Sequence, residues 1–256
     1  MEIFWLGALA LLLAGYFALE GFDIGVGMLL PVLGRDQAAR DRLVGAIAPF
    51  VLANEVWLVA TAGVLFGAFP SLEGDVLFAM YPLIVALLFT WILRDAALWF
   101  RRRVDGPRWR RLWDGVLCAS SWGLALTWGF ILARLIGGLA GPMNVLLGAV
   151  LALVVAALFA AHGRAFAAWR LPEEHRGGPW GGRGLVLTAL LAALPAALPP
   201  LVAAPSVLGH AAPDATLAVL SLMVVPFLPV MVGAQVWVWR TFGPRRSAGS
   251  RVPSFF

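Results

Sequence analysis

Seven apolar runs, each long enough to cross a lipid bilayer, dominate this 256-residue chain. A spanning helix needs about 20 mostly apolar residues, and such runs recur over 3–33, 46–69, 76–100, 113–136, 143–168, 184–204 and 215–239. Inside a bilayer every backbone polar group must find its partner within the protein, which leaves helices and closed barrels as spanning structures. Continuous runs of this length select helices. The expected fold class is therefore all-α, a polytopic transmembrane helix bundle of about seven spans. Composition agrees: 61% of residues are hydrophobic and 13% charged, about half the charge of a soluble domain.

All nineteen basic residues are arginine. They could suggest a nucleic-acid partner, but they fall in short clusters between apolar runs, so no nucleic acid is expected. The stretches 34–43, 101–111, 164–183 and 240–251 hold 17 of them, and the alternate loops near 70–75, 137–142 and 205–214 hold none. The positive-inside rule then puts the N-terminus outside and the C-terminus in the cytoplasm. Glu2 stands where a secretory signal has its positive region, and the run behind it is too long for a signal core, so it reads as a mature span. Trp5, Trp109, Trp113, Trp169, Trp180, Trp237 and Trp239 lie near span ends and read as an interfacial belt. The chain is expected to be one membrane domain over 1–256, with a four-span half (1–136) and an abbreviated three-span half (137–256). Within it, 171–183 forms a cytoplasmic hinge, and Pro195, Pro199 and Pro200 break the outer half of the sixth span.

Two arginines stand apart from the loops. Arg134, near the outer end of the fourth span, is expected to snorkel to the interface. Arg94 lies seven residues, about 10 Å, inside the third span, where an unpaired charge is expensive, so it should face the bundle and find an acid. Neighbouring side chains on a helix diverge by about 100°, so Asp95 is not the expected partner. Glu20 and Asp23, three residues apart, share a face of the first span, and Asn54 with Glu55 lies near the middle of the second. Gly21 and Gly25 have the spacing that lets helices approach closely. The expected buried polar network is thus Glu20, Asp23, Asn54, Glu55 and Arg94. Two roles stay open for it: an ion-pair network that fixes packing, or a proton or ion relay or polar cofactor contact.

The single Cys118 has no partner for an internal disulfide. His162, His175 and His210 offer no paired-histidine haem site across two spans, though His162 could be a lone axial ligand or a hydrogen-bonded core group. There is no phosphate-binding glycine loop, dinucleotide fingerprint, zinc spacing or nucleophile elbow. Self-contained catalysis is not expected, and no metal or catalytic residue is assigned.

The run Gly15-Tyr16-Phe17-Ala18-Leu19-Glu20-Gly21-Phe22-Asp23-Ile24-Gly25-Val26-Gly27 resembles the opening of subunit II of the cytochrome bd-type quinol oxidases. So do Ile47-Ala48-Pro49 with Asn54-Glu55-Val56-Trp57-Leu58, Ala68-Phe69-Pro70, Ile92-Leu93-Arg94 and Trp109-Arg110-Arg111-Leu112-Trp113-Asp114, in the family's order and spacing. The resemblance is dense over about the first 135 residues and thinner afterwards, at Ala161-His162-Gly163 and Gln235-Val236-Trp237. The chain is shorter than the family pattern by about two helices.

The resemblance implies the haem-free second subunit of a complex, in a prokaryotic cytoplasmic (inner) membrane, that oxidises quinol and reduces dioxygen. Haems b and d would sit in the larger subunit I, and this chain would stabilise that partner, contribute to proton uptake, and leave room for a bound quinone and a small accessory subunit. The partner surface should be apolar and rich in Gly and Ala, with the first and fourth spans as candidates. Two positions depart from the pattern. Leu52 stands where the family has the acid assigned to proton uptake, and Trp99 replaces another acid, so any proton path is expected to be rerouted or absent. Two rival readings remain: an assembly partner of a subunit I that no longer oxidises quinol, and a small ion or solute transporter built on the acid cluster.

Overall fold

The computed structural model describes residues 1–172 and 181–243, and its described residues form helices and no strand. The chain folds into α1 (Glu2–Leu33), α2 (Gln37–Ala68), α3 (Pro70–Ala79), α4 (Tyr81–Phe100), α5 (Pro107–Gly137), α6 (Val145–Arg170), α7 (Gly181–Val202), α8 (Ala204–Leu208), α9 (Asp214–Val224) and α10 (Leu228–Phe242). A short 3₁₀ turn, Val225–Phe227, joins α9 to α10. Among the described residues seven helical stretches are long and apolar enough to cross a membrane, the last running from Asp214 through Phe242. The protein is a multi-pass membrane protein.

Several boundaries differ from the hydropathy reading. The second helix starts nine residues earlier than the apolar run because Asp36 caps it, accepting from the Ala39 amide at 2.8 Å. The third run divides at Met80 into the short α3 and the spanning α4. The sixth span, α7, is continuous through Pro195, Pro199 and Pro200 rather than broken. Pro199 and Pro200 are buried, and the Pro199 carbonyl still accepts from the Ala203 amide at 3.0 Å. Protein cover of this kind is what makes prolines tolerable at such depth. Most of the stretch read as a hinge over 171–183, with His175 and Trp180, lies outside the described residues, as do the arginines beyond 243.

Helix α1 is the axis of the bundle, packed by α2, α5, α6 and α7. Its inner part, Glu20 to Met28, is fully buried in its own chain, while Phe4 and Leu11 nearer its start are exposed. Its crossing with α6 is made at Gly25 and Gly163, each of which lies against the other's backbone so closely that a Cβ on either would strike main-chain atoms. The glycine spacing that predicts close approach is used there. Phe17, Phe159 and Trp128 fill one part of the core, with ring centroids 5.0 Å and 5.2 Å from Phe17.

The tryptophan belt is only partly a belt. Trp237 is exposed, but Trp5 is fully buried in the core. Trp239 packs on Phe50 at 5.0 Å and on Trp169 at 5.5 Å, so those two indoles serve interior packing. Arg134 also departs from expectation. Instead of snorkelling, it is buried and donates to the carbonyls of Leu139 and Gly141, at 2.5 Å and 2.9 Å. The short loop folds back over the helix end and supplies these acceptors. Gly138 and Gly141, with φ of 87° and 72°, allow that reversal.

Candidate functional site

The five residues singled out as a polar network converge where α1, α2, α4 and α10 meet. Glu20 and Asp23 lie one turn apart on α1, and both are buried. Arg94 on α4 is fully buried, with its Nη1 2.6 Å from Glu20 Oε1 and 3.5 Å from Glu55 Oε1. Asp95 joins them, its Oδ1 3.3 Å from the same nitrogen. This corrects the expectation that Asp95 points away. The arginine stem is long enough to bring its terminal nitrogen back towards the edge of α4, where the carboxylate of the next residue can curl to meet it.

Asp23 is held differently. Its Oδ2 accepts from Asn54 Nδ2 at 2.6 Å, and the same nitrogen donates to the Leu19 carbonyl at 3.0 Å. With its nitrogen so committed, Asn54 presents its oxygen to Gln235 Nε2 of α10, which donates at 2.8 Å. Trp57 Nε1 donates to Gln235 Oε1 at 3.3 Å. Turning the Gln235 amide over would gain Ala53 O and Trp239 Nε1 but set its oxygen against Asn54 Oδ1, so we prefer the first orientation. Gln235 thus belongs to the network. Its sequence signal was an amide inside an apolar helix.

Four carboxyls therefore gather around one guanidinium. The carboxyls outnumber the guanidinium by three at a depth where uncompensated charge is expensive. The contacts are also uneven. Arg94 Nη1 carries all three carboxylate contacts, while Arg94 Nε and Nη2, Glu20 Oε2 and Asp23 Oδ1 are buried without a hydrogen-bond partner. Chemically, the cluster brings protonatable groups of three helices together around one cation.

Trp91 Nε1 donates to Glu55 Oε1 at 3.0 Å, and the Trp91 ring also lines an apolar cleft of about 710 Å³. Leu13, Leu65, Leu87, Trp128 and Ile131 form much of that cleft's wall. Leu52 and Trp99, the two departures from the acid pattern, are 62% and 43% exposed on the outside of α2 and α4. They do not enter the cluster.

Sequence reasoning missed a second network. Arg101, fully buried at the end of α4, reaches Asp41 at 2.8 Å and Asp114 at 2.7 Å. Arg40 adds a contact to Asp114 at 3.3 Å, and Arg110 one to Asp41 at 3.2 Å. Two carboxylates so tie together the starts of α2 and α5 and the end of α4. The arginine clusters had been read only as markers of topology.

His162 is a core group with both ring nitrogens engaged, Nδ1 2.8 Å from Thr188 Oγ1 and Nε2 2.9 Å from the Ala18 carbonyl. Facing a carbonyl, Nε2 carries the proton, and Nδ1 accepts from the threonine hydroxyl. No cluster of three or more His, Cys, Asp or Glu side chains suited to a metal ion occurs among the described residues.

Comparison with known proteins gives a consistent picture. The family model described as "Cytochrome bd terminal oxidase subunit II" matches residues 1–178, which include every residue of the carboxylate cluster except Gln235. Cytochrome bd ubiquinol oxidase subunit 2 of Bacillus subtilis is 41% identical over 117 residues, covering 46% of this chain and 35% of that protein. Cytochrome bd-I ubiquinol oxidase subunit 2 of Escherichia coli K12 is 33% identical over 143 residues, 56% of this chain and 37% of its own length. A probable cytochrome oxidase subunit 2 of Haemophilus influenzae is 32% identical over 144 residues, covering 56% and 38%. The matched region is thus little more than a third of each of these relatives.

Proposed function

The chain belongs to the cytochrome bd terminal oxidase subunit II family, and from that premise we propose that it is the haem-free second subunit of a bd-type quinol:oxygen oxidoreductase. In this reading it acts as one membrane domain in a prokaryotic inner membrane, with its N-terminus outside. It packs against and stabilises a haem-bearing subunit I, which carries haems b and d. The observation that carries the reading is the match over residues 1–178, because it spans the part of the chain that builds the carboxylate and guanidinium cluster.

The cluster is the part of this chain suited to proton handling. Glu20, Asp23 and Glu55 lie on two adjacent helices around Arg94, and carboxyls outnumber cations there. Should the complex hold a quinone in this subunit, the cleft beside Trp91 offers apolar room for its ring and tail. Quinol-dependent oxygen uptake by membranes lacking only this chain tests the reading. Uptake should vanish with the deletion and return on complementation. In the assembled complex, the triple change of Glu20, Asp23 and Glu55 to their amides should slow turnover; unchanged turnover leaves the cluster a packing role.

A second reading has its own support. Leu52 and Trp99 put apolar side chains where the family resemblance expects acids, and both sit outside the cluster. That favours an assembly partner for a subunit I that no longer oxidises quinol. A complex that co-purifies with haem yet takes up no oxygen with quinol would support it.

A further inference from the structure

Asp95 is placed awkwardly for a membrane protein standing alone. Six residues separate it from Arg101, which puts it about 9 Å inside the helix end. Yet 30% of its side chain is exposed on the outer face of the bundle. A short acidic side chain at that depth cannot reach the headgroups, and a lipid-facing aspartate within a span is strongly disfavoured. Arg164 is exposed at a comparable distance from the end of α6, but an arginine stem is long enough to snorkel. Asp95 has no such escape.

The charge count points the same way. The one guanidinium in the cluster already faces Glu20, Glu55 and Asp95 through a single nitrogen, and Asp23 lies behind them. The cluster is short of positive charge, and among its described residues Asp95 is the most exposed, with Glu55 next. Around these two the exposed side chains are apolar: Leu52, Val56 and Val59 on α2, and Leu88, Ile92 and Trp99 on α4. An acidic centre ringed by apolar contacts has the layout of an interface anchor.

We propose that Asp95, backed by Glu55, accepts a basic side chain from a membrane-embedded helix of a partner protein that covers the α2 and α4 face. The inference rests on the reading of this chain as one subunit of a heteromeric complex. The partner's cation offsets the surplus negative charge and holds Asp95 away from lipid. Burial of both groups makes the pair selective, because a partner without the cation leaves a carboxylate uncompensated.

The test uses the complex purified in mild detergent from native membranes. A photo-crosslinking amino acid is placed at Ile92 on the proposed face, and in separate chains at Leu153 and Leu222 on other outward faces. Crosslinks from Ile92 to a second, different polypeptide, with none from Leu153 or Leu222, are the expected result. Asp95→Lys should lower the recovered partner at least tenfold, and Asp95→Asn by a smaller factor. A partner that co-purifies but is not reached from Ile92, or that is retained undiminished by Asp95→Lys, overturns this inference and leaves the subunit reading intact. Crosslinks from Ile92 to a second copy of this chain or to lipid alone also overturn it. If the unaltered chain brings down no partner, both proposals fall.

Discussion

Replacing Arg94 with methionine keeps most of the side-chain volume and removes the only cation among four carboxyls. In the intact protein Arg94 Nη1 lies 2.6 Å from Glu20. A gross attraction of about 6 kcal/mol follows from an effective dielectric of 20, and desolvation offsets much of it. Removing one member of a buried pair typically costs about 3–5 kcal/mol. Arg94→Met should therefore lower the melting midpoint by roughly 10 °C at pH 8. The half-buried Cys118 is the only thiol in the chain, so a thiol-reactive dye reports unfolding in detergent directly. Adding Glu20→Gln to Arg94→Met should recover a large part of the loss at pH 8. An Arg94→Met protein that melts within about 2 °C of its parent at pH 8 would refute the reasoning.

Three other perturbations follow from the packing. Gly25→Leu drives a side chain into the backbone of Phe159 and Gly163 and should abolish a monodisperse peak in size-exclusion chromatography, whereas Gly63→Leu, with open space around it, should leave the peak in place. Asn54→Leu deprives the buried Asp23 carboxyl of its 2.6 Å donor and should cost about 1–3 kcal/mol in the same melting assay. Arg101→Met removes the buried cation shared by Asp41 and Asp114 and leaves them the more exposed Arg110 and Arg40, a loss of about 2 kcal/mol; the exposed Arg103→Met should melt like the parent.

Hydropathy made the spans legible because a bilayer imposes a length on apolar runs that few other constraints do. The convergence of Glu20, Asp23, Asn54 and Glu55 near Arg94 was legible for a related reason: intramembrane charge is expensive enough to demand company. What the sequence concealed was side-chain reach. Asp95 was excluded by the angle between adjacent Cβ vectors, but Arg94 ends several bonds from its own Cα and can bend back to it. Gln235 lies 181 residues from Asn54, beyond any periodicity that could join them. Arg101 carries the same signal as the loop arginines around it, and only the packing of three helix ends distinguishes it. Trp5 and Trp239 sit at span ends in sequence yet turn inward, because indoles serve a core as readily as an interface.

The central claim is membership of an oxidase complex. Its most direct test is a mild-detergent affinity purification of this chain from its native membrane, with a reduced-minus-oxidised optical spectrum taken on the eluate. The account predicts haem b and d bands together with a second, larger polypeptide. A colourless eluate containing this chain alone would contradict it, and would turn attention to the carboxylate cluster as the ion or solute site of a transporter.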